Sequence, residues 1–379
     1  MNKKKIIVIY STAGMGHKKA AMALLKTFQE KVKDTAQVKS IDLLEYASNF
    51  YRFLYTTFYI FLISHAKILW AALYYIPNHP FVDAMLRKIR ESTDLRNLEE
   101  LKTMLVKESP DAIVATHFLL PGIAGGLKKF KSFHSRMYAV ITDYGPHSYW
   151  LSRHIDRYFI GSRSAALEVV KRGVPADKMT VTGIPTLEEF RGEFDTAGVR
   201  RTYGLDEGKK TIFLLSGGFG VGPIGKMLLS LNSCRADIQV ITVCGHNKTA
   251  FENIQRLRDK LDYPLILLGY TDKVAELMSV SDVMITKAGG ISVTEALNAR
   301  LPMILFASVP GQETWNEHFL IESGAAEKAR KIKDIPVIAD RILISEDVRD
   351  ALKAAIDKIR RPYAAEEIVD IVLRETGRK

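Results

Sequence analysis

A chain of 379 residues is longer than one hydrophobic core usually serves, so two domains are expected. Its 47% hydrophobic and 26% charged residues are those of a folded globular protein and argue against long disorder, while two cysteines, Cys234 and Cys244, exclude a disulfide framework and a zinc site and suit a reducing cytoplasm. The formal charge of +11 fits an anionic partner or simply a soluble basic surface; no zinc-finger or RNP signature accompanies it, and nucleic acid is not expected.

The first element is "IIVIYSTAGMGHKKAAMAL", Ile6 to Leu24. Its apolar run is too short for a signal-peptide core of roughly 7–15 residues, so it reads as a strand. Gly14 and Gly16 allow a sharp turn and close approach of a ligand, and the helix that follows points its first amides at whatever occupies the turn. His17 stands at that turn. It is either a residue of a site or a cap of the turn.

Between Ile41 and Pro77 the chain reads "IDLLEYASNFYRFLYTTFYIFLISHAKILWAALYYIP", dense in aromatics and nearly free of acids after Glu45. The uncharged piece Phe53 to Ser64 falls short of the ~20 residues a membrane-spanning helix needs. With Arg52 and Lys67 at its flanks it suits a helix lying in the bilayer interface, and the alternative is a buried helix pair of the first domain.

The runs "AIVAT", "MYAVIT" and "RYFIGS" continue the first half as strands separated by helical patterns. A charged, weakly periodic segment near 184–205 reads as the linker. The second half repeats the plan with "TIFLLSGGFGVG", "IQVITVCG", "PLILLGY", "VMITKAGG" and "PMILFAS", and both halves are expected to be doubly wound α/β domains. Expected boundaries are 1–190, with the aromatic insert at 45–77, then 205–350, then tail helices over 351–379 that break at Pro362 and pack back on the first domain.

The string "VMITKAGGISVTEAL" runs from a strand, Val283 to Thr286, through Gly289 and Gly290 into a helix from about Ser292. Amides at that helix start, with the Ser292 hydroxyl, make a diphosphate cradle, and Glu295 one turn later suits a ribose diol. Simple packing is the competing explanation of a Gly-Gly turn. "PGQETWNEHF" follows the next strand and brings Gln312, Glu313 and Asn316 to a strand end, where such sheets bind ligands.

Together "GMGHKKAA", "TDYGPHSYW", "VTGIP", "SGGFGVG", "GYTDKVAELMSVSDVMITKAGGISVTEAL" and "PGQETWNEHFL" resemble the monogalactosyldiacylglycerol synthases and processive diacylglycerol glucosyltransferases, relatives of the enzyme that adds N-acetylglucosamine to make lipid II. The resemblance runs from Ile6 to about Ala326 and implies a GT-B fold, two Rossmann-like domains facing across a cleft. It implies an inverting transfer of a hexose, glucose or galactose, from a UDP-sugar to diacylglycerol, with no catalytic metal and no cofactor, by an enzyme peripheral on an anionic membrane at its cytoplasmic face. His17 matches the catalytic base. Asp143 matches a residue that orients or replaces it, and Gly16, His147 and Trp150 match acceptor contacts. Gly217, Gly218, Gly289, Gly290 and Ser292 match phosphate contacts, Glu295 the ribose contact, Tyr270 the uracil position, and Gln312 and Glu313 the sugar hydroxyls. After "TGIP" the chain has Thr186 and Leu187 where the family carries a small apolar and a basic residue. An undecaprenyl-linked acceptor with UDP-N-acetylglucosamine as donor, or a non-catalytic UDP-sugar-binding role, are the alternatives.

Overall fold

Among the described residues, twelve short strands, most of them lacking a polar face, fold into two parallel sheets. The computed structural model describes residues 3–33, 35–215 and 222–377. The chain divides into two units: one holds the residues up to Leu187, Pro310–Trp315 and the tail from Arg361; the other holds Glu188–Val309 and Asn316–Arg360.

In the first unit, β1 (Lys4–Tyr10), β2 (Ala36–Asp42), β3 (Ala112–Ala115), β4 (Arg136–Val140), β5 (Arg157–Ile160) and β6 (Met179–Val181) pair in the order β2-β1-β3-β4-β5-β6, all parallel. Alternation along β1 divides the core. Ile7 and Ile9 join Leu101, Leu105, Leu120 and Ile123 on one face. On the other, Ile6 and Val8 join Ala21, Leu24 and Phe28 of α1 (Met15–Val32) and Ile368, Val369 and Val372 of the tail helix Ala364–Gly377. The tail helix is pinned by Lys4 Nζ to the Thr376 carbonyl at 2.7 Å and by Arg157 to Glu375 at 2.6 Å. The strand order reverses beside β1, so the loops after β1 and β3 border the crevice where open α/β sheets bind ligands.

The aromatic insert is a chain of short helices: α2 (Asn49–Phe53), a π-helical turn Leu54–Phe58, α3 (Tyr59–His65), α4 (Lys67–Asn78) and α5 (Pro80–Asn97). Among the described residues no single helix is long and apolar enough to cross a membrane; Asn49–His65 and Lys67–Asn78 meet at a bend of 116°. The segment has a buried side and an exposed one. Tyr51, Leu62, Ile63 and Tyr74 are buried, whereas Phe53, Phe61, Leu69, Leu73 and Ile76 are exposed, Ile68 by 89%. The exposed stripe continues on α5 through Phe81, Met85 and Ile89, spaced one turn apart, beyond the expected limit at residue 77.

In the second unit β7 (Lys210–Leu215), β8 (Ile238–Val243), β9 (Leu265–Leu268), β10 (Val283–Thr286), β11 (Met303–Leu305) and β12 (Ala326–Lys328) pair in the order β12-β11-β10-β7-β8-β9, again all parallel. The order reverses between β10 and β7, which puts the start of the helix Gly290–Asn298 at that unit's switch point. The helix Glu346–Ile359 belongs to this unit, and only the part of the tail from Arg361 belongs to the first. Pro310–Trp315 also groups with the first unit, although its place in the sequence lies inside the expected 205–350 domain.

Candidate functional site

The turn after β1 carries His17 into the first turn of α1, whose N-terminus at Gly14 has no side-chain cap, and Gly16 lies half-buried beside it. His17 Nδ1 lies 2.7 Å from the Thr116 carbonyl oxygen and 3.0 Å from Thr142 Oγ1. A carbonyl only accepts, so Nδ1 carries the proton and the lone pair sits on Nε2. Thr116 Oγ1 also donates to the His17 carbonyl at 2.8 Å, and this strand-end residue holds the histidine from both sides. A Cβ at Gly14 would come within 3.1 Å of His17 Cδ2, so the turn admits no side chain there without moving the ring.

Burial against His117, at 4.7 Å between ring centroids, and Trp150, at 6.3 Å, pushes the His17 imidazole down to about 4, partly offset by the Thr116 carbonyl. At neutral pH the ring is therefore uncharged and its Nε2 can take a proton. His117 itself is buried, accepts from the Leu119 amide at 3.3 Å, and is held well below the usual histidine range by burial and by His17. Sequence reasoning missed Thr116 and His117, which carry no motif of their own, and Thr142, which opens "TDYGPHSYW" but was not singled out in it.

Asp143 stands beyond the end of β4, next to Thr142; burial raises the hydroxyls of Tyr59 and Tyr74, and the Asp143 charge adds to both. His147 and Trp150, the expected acceptor contacts, are both buried. His147 Nε2 donates to the Tyr74 carbonyl at 2.9 Å and its Nδ1 accepts from the Tyr149 amide at 3.1 Å, so both ring nitrogens brace the fold. Trp150 is 3% exposed and belongs to the core of the first unit.

These histidines set an acid limit on stability. His17 and His147 are lowered from 6.5 to about 4 by burial and His117 well below 6.5, so the unfolded chain takes up protons first as pH falls below about 6.5. Asp94, raised by burial from 3.8 to about 6, works in the opposite direction between those values, one group against three. Urea melts between pH 7 and pH 4.5 are expected to show the unfolding free energy falling through that window. A flat profile would mean that the three rings are not held neutral by the fold.

Gln312 and Glu313 lie with the first unit. Gln312 Nε2 donates to Tyr59 OH at 3.3 Å, and Gln312 Oε1 is buried without a partner among the described residues. Asn316 is buried and donates to the Ala288 carbonyl at 2.9 Å, which fixes the turn before the helix Gly290–Asn298. That helix begins at Gly289 with no side-chain cap, so its first amides and the half-buried Ser292 can receive an anion. Glu295, one turn along, is only 2% exposed. Tyr270 is 58% exposed after β9 and lies flat on His246 after β8, with ring centroids 4.4 Å apart and planes 11° off parallel. Gly217 and Gly218 lie outside the described residues. Among the described residues no three His, Cys, Asp or Glu side chains are grouped to hold a metal ion.

Residues 17–186 match the family model of monogalactosyldiacylglycerol (MGDG) synthase, and 211–336 match that of the glycosyltransferase family 28 C-terminal domain. A processive diacylglycerol beta-glucosyltransferase of Bacillus cereus is 31% identical over 98% of this chain and 94% of its own. The chain belongs to the monogalactosyldiacylglycerol synthase and processive diacylglycerol glucosyltransferase family. Its fold is the GT-B fold of solved relatives. Acinetobacter baumannii MurG superposes with TM-score 0.61 at 14% identity, over 98% of this chain and 100% of that one. The S. aureus MnaA-UDP co-structure gives 0.64 at 15%, over 99% and 97%. His17 is the first residue of the synthase match.

Proposed function

We propose that the protein transfers glucose from UDP-glucose to diacylglycerol on an anionic membrane surface at the cytoplasmic face, with inversion at the anomeric carbon and His17 as the general base. The observation that carries this reading is the tautomer of His17: with Nδ1–H given to the Thr116 carbonyl, Nε2 is the free acceptor. The acceptor hydroxyl gives its proton to Nε2 as its oxygen bonds to the anomeric carbon. The bond from that carbon to the diphosphate breaks on the opposite face, UDP departs, and a single displacement inverts the centre.

The departing diphosphate gains charge, which amides at the start of the helix Gly290–Asn298, the Ser292 hydroxyl and Gly217–Gly218 would share. Glu295 would take the ribose diol, and the stacked Tyr270–His246 pair offers an exposed aromatic face to uracil. Gln312 and Glu313 would read the sugar hydroxyls, where an unmatched hydroxyl leaves a buried group unpaired and the wrong epimer is rejected. Asp143 would orient the acceptor beside His17. The exposed apolar stripe of the insert, flanked by exposed cations such as Lys67, Arg87 and Lys88, suits contact with lipid acyl chains and phosphates.

Glucose is favoured because the curated relatives similar over nearly the whole chain are named for it, although one matching family model is named for galactose. The test mixes the protein with UDP-glucose or UDP-galactose and diacylglycerol in anionic vesicles. Glucosyldiacylglycerol is the expected product. Formation of no glycolipid from either donor would overturn the reading.

A further inference from the structure

The six residues Pro310–Trp315 are held in the first unit by aromatic side chains of the insert, one contact after another along the chain. Trp70 Nε1 donates to the Pro310 carbonyl at 2.9 Å. The Gly311 amide donates to Tyr75 OH at 3.3 Å, and Gln312 Nε2 donates to Tyr59 OH at 3.3 Å. Gly311 has φ 108°, and a Cβ there would meet the Tyr74 ring at 3.0–3.2 Å, so the loop lies flat on that ring and only glycine fits. At the far end Trp315 packs so closely on Gly145 that an added Cβ would come within 2.2 Å of it.

The chemistry of the Gln312 contact gives the loop a direction. Tyr59 OH receives the amide NH2, which makes the remaining amide atom, Oε1, an acceptor only, and that oxygen is buried with no partner among the described residues. A buried unpaired acceptor is costly, and a hydroxyl donor from a ligand relieves the cost. A phenol hydroxyl both donates and accepts, so Tyr59 anchors the amide in place without choosing its face; in the arrangement present the oxygen is the atom left to a ligand. Trp70 can only donate and a carbonyl can only accept, so the contact at Pro310 is one-directional.

We infer that Tyr59, Trp70 and Tyr75 are positioning residues for the sugar-reading loop: they fix the backbone at Pro310 and Gly311 and hold the Gln312 amide in place, where its free oxygen accepts from one hydroxyl of the donor hexose. The inference rests on the proposed role of Gln312 in reading the sugar. It gives the insert a second use beside its exposed stripe, and assigns part of the discrimination between hexoses to two helices far from the donor motifs in sequence.

The experiment uses the whole protein with Tyr59→Phe, the double variant Trp70→Phe/Tyr75→Phe, and Gln312→Ala as reference. Each Phe keeps a ring in place, including the packing of Tyr59 on Trp70 at 5.1 Å, and melting temperatures check that the fold is retained. Steady-state kinetics with UDP-glucose and UDP-galactose, and UDP binding alone, are the readouts. Tyr59→Phe is expected to raise KM for the preferred UDP-hexose about tenfold and to narrow the ratio of kcat/KM between the two hexoses by a similar factor, with UDP affinity unchanged. The double variant should raise KM comparably. If KM and the hexose ratio stay at wild-type values in both while Gln312→Ala raises KM at least tenfold, the positioning role is wrong and the sugar-reading role stands. If Gln312→Ala also changes neither, the sugar-reading role fails and the positioning role falls with it.

Discussion

His17→Ala is expected to lower kcat by about 10²–10⁴-fold, the range that a positioned general base supplies, while UDP affinity and the KM for donor stay within a few fold. The residue has no counterpart among the proposed donor contacts, which belong to the other unit or to the loop Pro310–Trp315. Loss of the ring also removes a contact to the Thr116 carbonyl, so a melting curve must accompany the kinetics. The wild-type pH profile adds a second reading of the same group. Because burial sets His17 near 4, well under the usual 6.5, the base form is complete at neutral pH. The acid limb of kcat/KM should therefore fall with a midpoint near 4, since that quantity reports the free protein. Turnover within tenfold of wild type in His17→Ala would move the role to another group, and Asp143→Asn would then be the variant to measure.

What the sequence made legible follows from how each contact is encoded. Unbroken apolar runs made β1, β3, β4, β5, β7, β8, β10 and β11 visible, and also β9, an edge strand whose sequence "LILL" is wholly apolar. β2, β6 and β12 were not: each is an edge strand, "AQVKSID", "MTV" and "AEK", paired on one side only and partly exposed. His17 was legible because two glycines mark its turn. The groups that set its tautomer were not, because Thr116 and Thr142 stand 99 and 125 residues away and meet it only through the strand order. His147 and Trp150 share a motif with Asp143, and a motif does not say which of its residues point into the core. The stripe on α5 was hidden by composition, since Phe81, Met85 and Ile89 alternate with Asp83, Arg87, Lys88 and Arg90 and only the helical spacing separates the two faces.

Ile68→Glu combined with Phe81→Glu is expected to lower partitioning onto anionic diacylglycerol vesicles by at least about a hundredfold. Ile68 is 89% exposed on α4 and Phe81 74% exposed on α5, so neither contributes to the core, and the melting temperature should not move. Each side chain, if it enters the acyl boundary, is worth roughly 2 kcal/mol, and a carboxylate in its place adds repulsion from lipid phosphates. Two such losses together exceed what the remaining stripe can restore. Wild-type binding should strengthen with the anionic lipid fraction and weaken as salt screens Lys67, Arg87 and Lys88, whereas the apolar part of the binding should persist at high salt. Because the two substitutions lie on the outer face, UDP affinity and turnover with a short-chain, water-soluble diacylglycerol should remain near wild type. The defect would then be confined to vesicle-borne acceptor. A double variant that binds vesicles and glycosylates their diacylglycerol as well as wild type would show that this face is not the lipid contact, and the exposed apolar side chains of α4 and α5 would need a different partner.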